Sequence, residues 1–256
     1  MDDWLRVHAD MSVPVSAIRL ASDDSPAPTP NADVRFGNGS VQLQVVTRRS
    51  EWFPCRLKTK SGAPLLWVAG HVESLGAPSF GLCGSRNASE RGIARAEQFG
   101  ELAAELGARV ITGAARGVDT AATRAALDAD GTVVNVLAEG IQTTGARRFV
   151  SAVASGKVTV VSEFRPAAHW TVGQAMQRNA TICALSTAMF VIEAGESGGT
   201  LNAGRTALKL GVPLFAIRYK DECAGNEILI REGATPLETL GEVRIAMNEL
   251  LASPSG

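Results

Sequence analysis

The chain has 256 residues, of which 45% are apolar and 20% charged, and its formal net charge is −1. This composition fits one large domain, or one domain with a small appendage, and excludes a disordered chain. The near-neutral charge excludes a protein whose whole surface binds a polyanion by electrostatic attraction. It does not exclude a local basic groove that binds one. The four cysteines are too scattered for a zinc knuckle or a disulfide scaffold. We therefore expect neither a metal nor a cofactor.

Neither the apolar runs nor the first residues predict a membrane or secreted protein. The longest uncharged apolar runs reach only about half of the ~20 residues that span a bilayer. The N-terminal residues show no basic, apolar, small-residue leader. We expect a cytoplasmic protein that does not contact a membrane.

The first forty residues differ from the rest of the chain. Residues 22–31 read SDDSPAPTPN, which is typical of a linker. We predict an appendage and Pro/Ser linker over 1–40 and a single domain over 41–256. The alternating run at 41–46 predicts a strand whose partner is not evident.

Short apolar runs alternate with alanine-rich helical segments from residue 64 onward. The predicted strands are 65–69, 79–83, 109–112, 132–137, 158–162, 188–193 and 212–217, and the helices between them include 93–106, 119–129 and 200–210. Continuous apolar strands indicate burial on both faces, as in a parallel sheet covered by helices. The sequence thus predicts an α/β fold with a doubly wound, mostly parallel sheet, made by the six runs from 79 onward.

Three glycine-rich turns follow predicted strands, where the ligands of such a sheet bind. In the first, Gly84 and Ser85 permit a tight turn, and Arg86 could hold an anion at the start of the next helix. The pair Asn87 and Glu90 predicts a capping box there. A plain tight turn with a solvated arginine is an equal alternative.

The second turn runs from Gly113 to Asp119. Gly113 and Gly117 permit close approach of a backbone or a phosphate, and Arg116 is a candidate phosphate contact. Asp119 is predicted to cap the following helix, with a contact to a ribose or to a neighbouring arginine as the alternative.

The third turn is Ser197-Gly198-Gly199-Thr200, whose amides and hydroxyls could form an anion nest. Because one fold brings all three turns to the same edge of a sheet, together they are stronger evidence than any one of them. The patterns GxxxxGK[ST], GxGxxG and GxSxG are not found at the required positions. Glu163 and Glu193 supply carboxylates near this edge, but such acids are commonplace, and we do not expect hydrolytic chemistry from them.

Several segments, in the same order, resemble the DNA-processing protein A family (DprA, also called Smf). They are Trp52-Phe53-Pro54, residues 64–70, Gly84 to Ser89, Thr112 to Asp119, residues 136–141, Ser162-Glu163-Phe164, Arg178 to Ile182, Val191 to Ala194, Ser197 to Leu201 and Gly225 to Ala234. The resemblance covers roughly residues 50–237 and is specific as an ordered series.

The resemblance implies an extended Rossmann-like domain that binds single-stranded DNA and forms a homodimer. It further implies protection of incoming DNA during transformation, recombination through loading of the RecA recombinase, and no enzymatic activity. By position, Arg86 would hold a DNA phosphate, Arg178 and Asn179 would line the same pocket, and the turns 113–117 and 197–200 would frame it.

The chain departs from the family pattern at three places. Ala175-Met176 and Ala180 stand where the family has Phe-Pro and a second arginine. Residues 142–145 replace a Tyr-Pro segment, with Arg147 and Arg148 following. No winged-helix segment follows the predicted core, so we expect the core without it.

Two alternatives come from other classes. The first is a nucleotide-binding sensor, or an enzyme resembling the Lonely-guy phosphoribohydrolases. Those enzymes share the sheet but carry a glutamate after the glycine loop, and Asn202-Ala203-Gly204 supplies none. The second is a scaffold that acts only through a partner surface.

Overall fold

The structure, a computed structural model, describes residues 31–36, 41–58, 63, 65–220 and 223–253. Residues 22–30 of the predicted linker, and the predicted appendage apart from residues 31–36, lie outside these residues. The described chain divides into two compact units. The first contains the described residues up to Gly76 together with Leu137–Ala175, and the second contains Ala77–Val136 together with the residues from Met176 onward. Within the described chain, every helix is too short or too polar to cross a bilayer.

The described residues form ten strands, eight α-helices and two short 3-10 helices. The strands are β1 (Asn31–Phe36), β2 (Val41–Thr47), β3 (Leu65–Ala69), β4 (Ser79–Cys83), β5 (Arg109–Thr112), β6 (Val133–Val136), β7 (Val158–Ser162), β8 (Ala188–Val191), β9 (Leu214–Ile217) and β10 (Thr235–Leu237). The helices are α1 (Glu90–Glu105), α2 (Val118–Asp128), α3 (Thr144–Arg147), α4 (Val150–Ala154), α5 (Val172–Leu185), α6 (Gly199–Lys209), α7 (Ala224–Arg231) and α8 (Leu240–Ala252), with the 3-10 helices at Cys55–Leu57 and Val72–Leu75.

The first unit is built on four antiparallel strands in the order β1-β2-β3-β7. Strand β2 thus has partners on both sides, which the sequence did not reveal. Strand β1 begins at Asn31, inside the segment that the sequence assigned to the appendage, and its pairing with β2 ties that part of the chain to the unit. The predicted boundary near residue 40 stays a prediction, because residues 37–40 are outside the described chain.

The second unit contains six parallel strands in the order β6-β5-β4-β8-β9-β10. Numbered along this unit, the order is 3-2-1-4-5-6, the arrangement of a doubly wound Rossmann fold. The fold-class prediction is therefore confirmed. Two details differ from it: β7 pairs antiparallel with β3 in the first unit, and β10 was not predicted at all.

The core of the second unit explains why its strands are continuous apolar runs. All residues of β4 and β8 are buried, as expected for central strands covered on both faces. Phe190 on β8 packs against three other rings, with centroids 5.7 Å from Phe80, 5.0 Å from Phe99 and 4.9 Å from Phe215. This cluster joins three neighbouring strands to helix α1, which carries Phe99.

Helices α1 and α2 cross at Gly100 without room for a side chain. A Cβ at Gly100 would collide with the carbonyl oxygen of Ala122 and would lie 2.9 Å from the amide nitrogen of Ala126. The backbone of α1 therefore rests directly on that of α2, and this fixes the position of the turn that precedes α2.

We predict that Gly100→Ala lowers the free energy of unfolding, although alanine is the better helix former by about 1 kcal/mol. The collision with α2 outweighs this gain, and we expect a net loss of about 1–3 kcal/mol in urea unfolding. Gly241→Ala, in the first turn of α8, is the matched control, because its nearest neighbour is the Thr239 Oγ1 atom at 3.8 Å. The control should be neutral or stabilising. An equal gain from both substitutions would contradict the packing of α1 on α2.

Candidate functional site

The turns after β4 and β5 lie in direct backbone contact within the second unit. Gly117 has φ 75°, and a Cβ there would collide with the carbonyl oxygen of Ser85 and lie 2.9 Å from that of Arg86. The Val118 amide donates to the Ser85 carbonyl oxygen over 3.3 Å. Gly84 also allows the two turns to come together, because a Cβ there would lie 2.5 Å from the Val118 side chain. The glycines predicted to allow a close approach therefore bring two turns of the protein together.

Two of the predicted phosphate contacts, Arg86 and Arg116, are exposed on these joined turns. The Arg116 Nη2 atom donates to the Asn87 Oδ1 atom over 3.4 Å, which links the two turns through side chains as well. The backbone amide of Asn87 in turn donates to the Ser85 Oγ atom over 3.1 Å, which holds Asn87 in place. The joined turns thus present two guanidinium groups to solvent from a fixed backbone.

The N-terminus of α1 is occupied by a carboxylate of the protein itself. Glu193, which follows β8, accepts from the Ser89 amide at 3.2 Å and from the Ser89 hydroxyl at 2.6 Å. Ser89 is also the N-cap, accepting from the Gly92 amide over 3.2 Å. The predicted capping box of Asn87 and Glu90 is therefore wrong, because α1 begins two residues later than that pairing requires. The Glu193 carboxylate therefore occupies the N-terminus of α1, where the sequence analysis expected an external anion.

Asp119 is 6% exposed and holds the turn that precedes it. Its Oδ2 atom accepts from the amides of Gly113 and Ala115 at 3.0 and 3.2 Å. Asp119 lies in the first turn of α2, as predicted, and its hydrogen bonds reach back into the preceding turn. Burial raises the pKa of Asp119 to about 6, against the opposing effects of the Arg178 charge, the two amides and the Arg86 charge. The predicted alternative, a contact between Asp119 and a neighbouring arginine, stays a prediction.

Arg178 points into the protein and is 6% exposed. Its Nη1 atom donates to the Val136 carbonyl oxygen, at the end of β6, over 3.2 Å. Its guanidinium lies where a Cβ at Gly113 would be, so that glycine makes room for the arginine. Its predicted phosphate contact stays a prediction, but its position supports the carboxyl ends of β5 and β6.

Asn179 connects α5 to the third glycine-rich turn. Its Nδ2 atom donates to the Gly199 carbonyl oxygen at 3.2 Å and to the Asn202 Oδ1 atom at 3.1 Å. Ser197, Gly198 and Gly199 are exposed, and a Cβ at either glycine would meet no atom within 4 Å. No side-chain cap bonds this helix N-terminus, and Thr200 in its first turn is partly exposed.

The predicted site residues fall into two groups: those that lie in the second unit, and Glu163, which lies in the first. Contacts within the second unit connect the turns at Gly84, Gly113 and Ser197 through Arg178, Asn179 and Glu193. Of the predicted supporting carboxylates, Glu163 lies in the first unit, where it is 7% exposed. Among the 12 predicted binding residues, Arg178 and Asn179 are buried and the others are at least partly accessible.

Asn226 is a structural residue of this edge that the sequence did not single out. Its Oδ1 atom accepts from the Ala194 amide at 2.8 Å, and its Nδ2 atom donates to the carbonyl oxygens of Ile192 and Ile217 at 3.0 and 2.6 Å. One fully buried amide side chain thus joins the ends of β8 and β9. The available signal was the segment Gly225 to Ala234 of the family resemblance, which places Asn226 in the first turn of α7.

Two buried cysteines lie behind the site. Cys83 ends β4 and Cys183 lies on α5. Burial raises the pKa of the Cys83 thiol well above its usual value and that of Cys183 to about 12. Among the described residues, no group of three or more His, Cys, Asp or Glu side chains could hold a metal ion.

The chain matches the family model of the DNA recombination-mediator protein A over residues 44–248. It belongs to that family. It is 31% identical to Protein Smf of Escherichia coli (strain K12) over 216 residues, which are 80% of this chain and 58% of that protein. The family resemblance drawn from the ordered series of segments is therefore confirmed. The chain spans only about half the length of the curated relatives it matches.

Two solved structures are similar to this chain over about four fifths of its length. DNA processing protein A from Streptococcus pneumoniae has a TM-score of 0.70 at 26% identity, covering 78% of this chain and 72% of that one. The protein of the same name from Helicobacter pylori also has a TM-score of 0.70, at 20% identity, covering 81% of this chain and 96% of that one. The second likeness shows the fold alone.

We predict that Asp119 makes stability fall as the pH rises from about 4 to about 6. Its folded-state pKa is raised above the value of an unfolded aspartate, so the folded protein binds the proton more tightly, and this stabilisation is lost as the proton leaves. The shift corresponds to about 3 kcal/mol. Urea unfolding across pH 4–7 should show this slope in the wild type and a flatter profile in Asp119→Asn.

Asp128→Asn is the matched control, because Asp128 is exposed at the end of the same helix. It should keep the wild-type slope. Parallel profiles for the wild type and Asp119→Asn would show that Asp119 titrates as an ordinary surface carboxylate.

Proposed function

We propose that this protein binds single-stranded DNA and acts in DNA processing and recombination. Membership of the DNA recombination-mediator protein A family supports the proposal. The similar protein from Helicobacter pylori binds single-stranded DNA. The chain spans only part of the length of its curated relatives, so the residues of the site itself carry the proposal.

The observation that carries the proposal is the pair of exposed arginines on two rigidly joined turns. Arg86 and Arg116 project from backbones that touch at Gly117, so the positions of their Cα atoms are set before a ligand binds. A guanidinium presents several donors in a plane and is well suited to phosphate oxygens. Turns that are already held in place lose less entropy on binding, which favours contact with successive phosphates of a strand.

The open N-terminus of α6 is proposed as a further phosphate contact. Its first amides have no side-chain cap, and the glycines there leave space for a ligand. The partial positive charge of a helix N-terminus favours an anion. By contrast, Glu193 already neutralises the N-terminus of α1.

We propose that Arg178 acts as a positioning residue. It lies behind the Gly113 turn and donates to the Val136 carbonyl oxygen. Its charge also opposes the effect of burial on Asp119, whose carboxylate holds the same turn. Asn179 has the corresponding role for the turn at Gly199.

The alternative of a phosphoribohydrolase-like enzyme finds little support at the site. Helix α6 follows the glycine turn and has no acidic residue in its first turn. Asn202 there accepts a hydrogen bond from Asn179, and Gly204 faces Leu229 with no space for a side chain. We therefore propose a binding protein rather than an enzyme. Release of base from nucleoside monophosphates would overturn this part of the proposal.

The remaining proposals rest on family membership. They are a homodimer, loading of the RecA recombinase onto the bound strand, and residence in the cytoplasm. Light scattering at micromolar concentration tests the dimer. A strand-exchange reaction with and without this protein tests the effect on RecA.

We predict that Arg86→Ala and Arg116→Ala each weaken binding of a labelled 20-nucleotide oligothymidylate and reduce its salt dependence. For single strands, each phosphate contact contributes about 0.7 to the slope of log affinity against log salt. Each substitution should lower the magnitude of the slope by about that amount in anisotropy titrations from 50 to 300 mM salt, a range that resolves slopes of this size.

Arg124→Ala is the matched control, because Arg124 is exposed on α2 away from the joined turns. It should leave the slope unchanged. Equal slopes for the wild type, Arg86→Ala and Arg116→Ala would place the phosphates elsewhere. Failure of the wild type to bind at low salt would refute the proposed function.

A further inference from the structure

Two exposed apolar side chains lie close together in the first unit, where the chain passes from β7 to α5. Trp170 is 45% exposed and Val172 is 63% exposed. Among the described residues, Ile245 is the other large apolar side chain with comparable exposure. A partly exposed indole with a second exposed apolar side chain two residues further along the chain is a candidate binding surface.

The loop that carries Trp170 is held by a neighbouring segment of the same unit. The Gly140 amide donates to the Ala168 carbonyl oxygen over 2.7 Å, and the Gln142 amide donates to that of Pro166 over 2.8 Å. A Cβ at Gly140 would collide with the carbonyl oxygens of Arg165 and Pro166. The two segments are therefore in close contact, and the loop has a defined backbone.

The start of α5 fixes the loop from the other side. The Thr171 Oγ1 atom accepts from the Gln174 amide over 3.1 Å and donates to the Gln174 Oε1 atom over 3.0 Å. Trp170 directly precedes this capping residue. The backbone that carries the Trp170 side chain is thus anchored on both sides, at Ala168 and at Thr171.

The charged residues that follow Gly140 in the sequence are mostly basic, whereas Glu139, directly before it, lies against Gly145 of α3. From Gly140 to Ile192 the sequence has a single acidic residue, Glu163, which is 7% exposed. The same stretch has five Lys or Arg residues: Arg147, Arg148, Lys157, Arg165 and Arg178. Arg147, Arg148, Arg165 and His169 are exposed. Arg147 ends helix α3, which follows the 140–142 segment, and Arg148 is the next residue, so the chain after this segment and the loop both contribute basic side chains.

We infer that Trp170 is a stacking platform for a base of single-stranded nucleic acid, with the exposed arginines of the loop and of α3 contacting the adjoining phosphates. This inference rests on the proposed function and adds a second contact surface to it. Bases stack on aromatic rings irrespective of sequence, and a nearby cationic groove tracks the backbone. The core of a protein–protein interface is depleted in charge, which disfavours a protein as the occupant.

The inference accounts for one departure of this sequence. Ala175 and Met176 leave no aromatic ring directly before Arg178, and Trp170 supplies one five residues earlier in the chain. Because Trp170 lies at a different position from the aromatic residue of the family, it would stack on a different base of the bound strand.

The test compares the wild type with Trp170→Ala and Trp170→Phe, using a labelled 20-nucleotide oligothymidylate and an abasic deoxyribose-phosphate oligomer of the same length. Trp170→Ala should weaken binding of the oligothymidylate about 5- to 100-fold at fixed salt, because one base loses its platform. Trp170→Phe should retain most of the affinity. The abasic oligomer should bind all three proteins equally, and the salt dependence should not change.

Ile245→Ala is the matched control, because it removes an apolar side chain of similar exposure from α8. It should bind as the wild type does. If the wild type binds the oligothymidylate and Trp170→Ala binds it equally well, the stacking inference is overturned and the proposed function stands. A change of molecular mass in solution on Trp170→Ala, with DNA affinity preserved, would overturn it in favour of an interface between copies of the chain. Absence of any binding by the wild type would overturn both proposals.

Discussion

The buried guanidinium of Arg178 holds the ends of two neighbouring strands of the second unit in one arrangement. It donates to the last carbonyl oxygen of β6 and occupies the space that Gly113 leaves open after β5. The same charge acts on Asp119, whose carboxylate binds the amides of the Gly113 turn. A buried carboxylate is costly unless opposite charges and donors surround it. The turn therefore depends on an arginine that comes from more than sixty residues further along the chain.

This arrangement separates the arginines of the second unit by role. Arg178 supports the turns from behind, whereas Arg86 and Arg116 extend from them into solvent. A similar separation applies to the helix N-termini. That of α1 is neutralised by Glu193, and that of α6 is left open. The protein thus uses one anion of its own to order the edge of the sheet, while Arg86, Arg116 and the N-terminus of α6 remain accessible there.

The sequence predicted the parallel strands well, because burial on both faces requires continuous apolar runs. It missed β10, since Thr235–Leu237 is short and contains a proline and an exposed threonine. It located the glycine turns but not their contacts, which are made by residues distant in sequence. Glu193 reaches Ser89 across 104 positions, so a local pattern could not reveal it. The sequence also did not reveal that Arg178 is buried. Its guanidinium occupies space that is available only because Gly113, distant in sequence, has no side chain.

The two thiols behind the glycine turns have a practical consequence. Thiols react with electrophiles and oxidants as thiolates, and burial keeps Cys83 and Cys183 protonated. Cys55 is exposed on a short 3-10 helix of the first unit. A maleimide dye added to the native chain will therefore attach at the surface and spare the sulfur atoms of the interior, which gives a spectroscopic handle without any engineered cysteine.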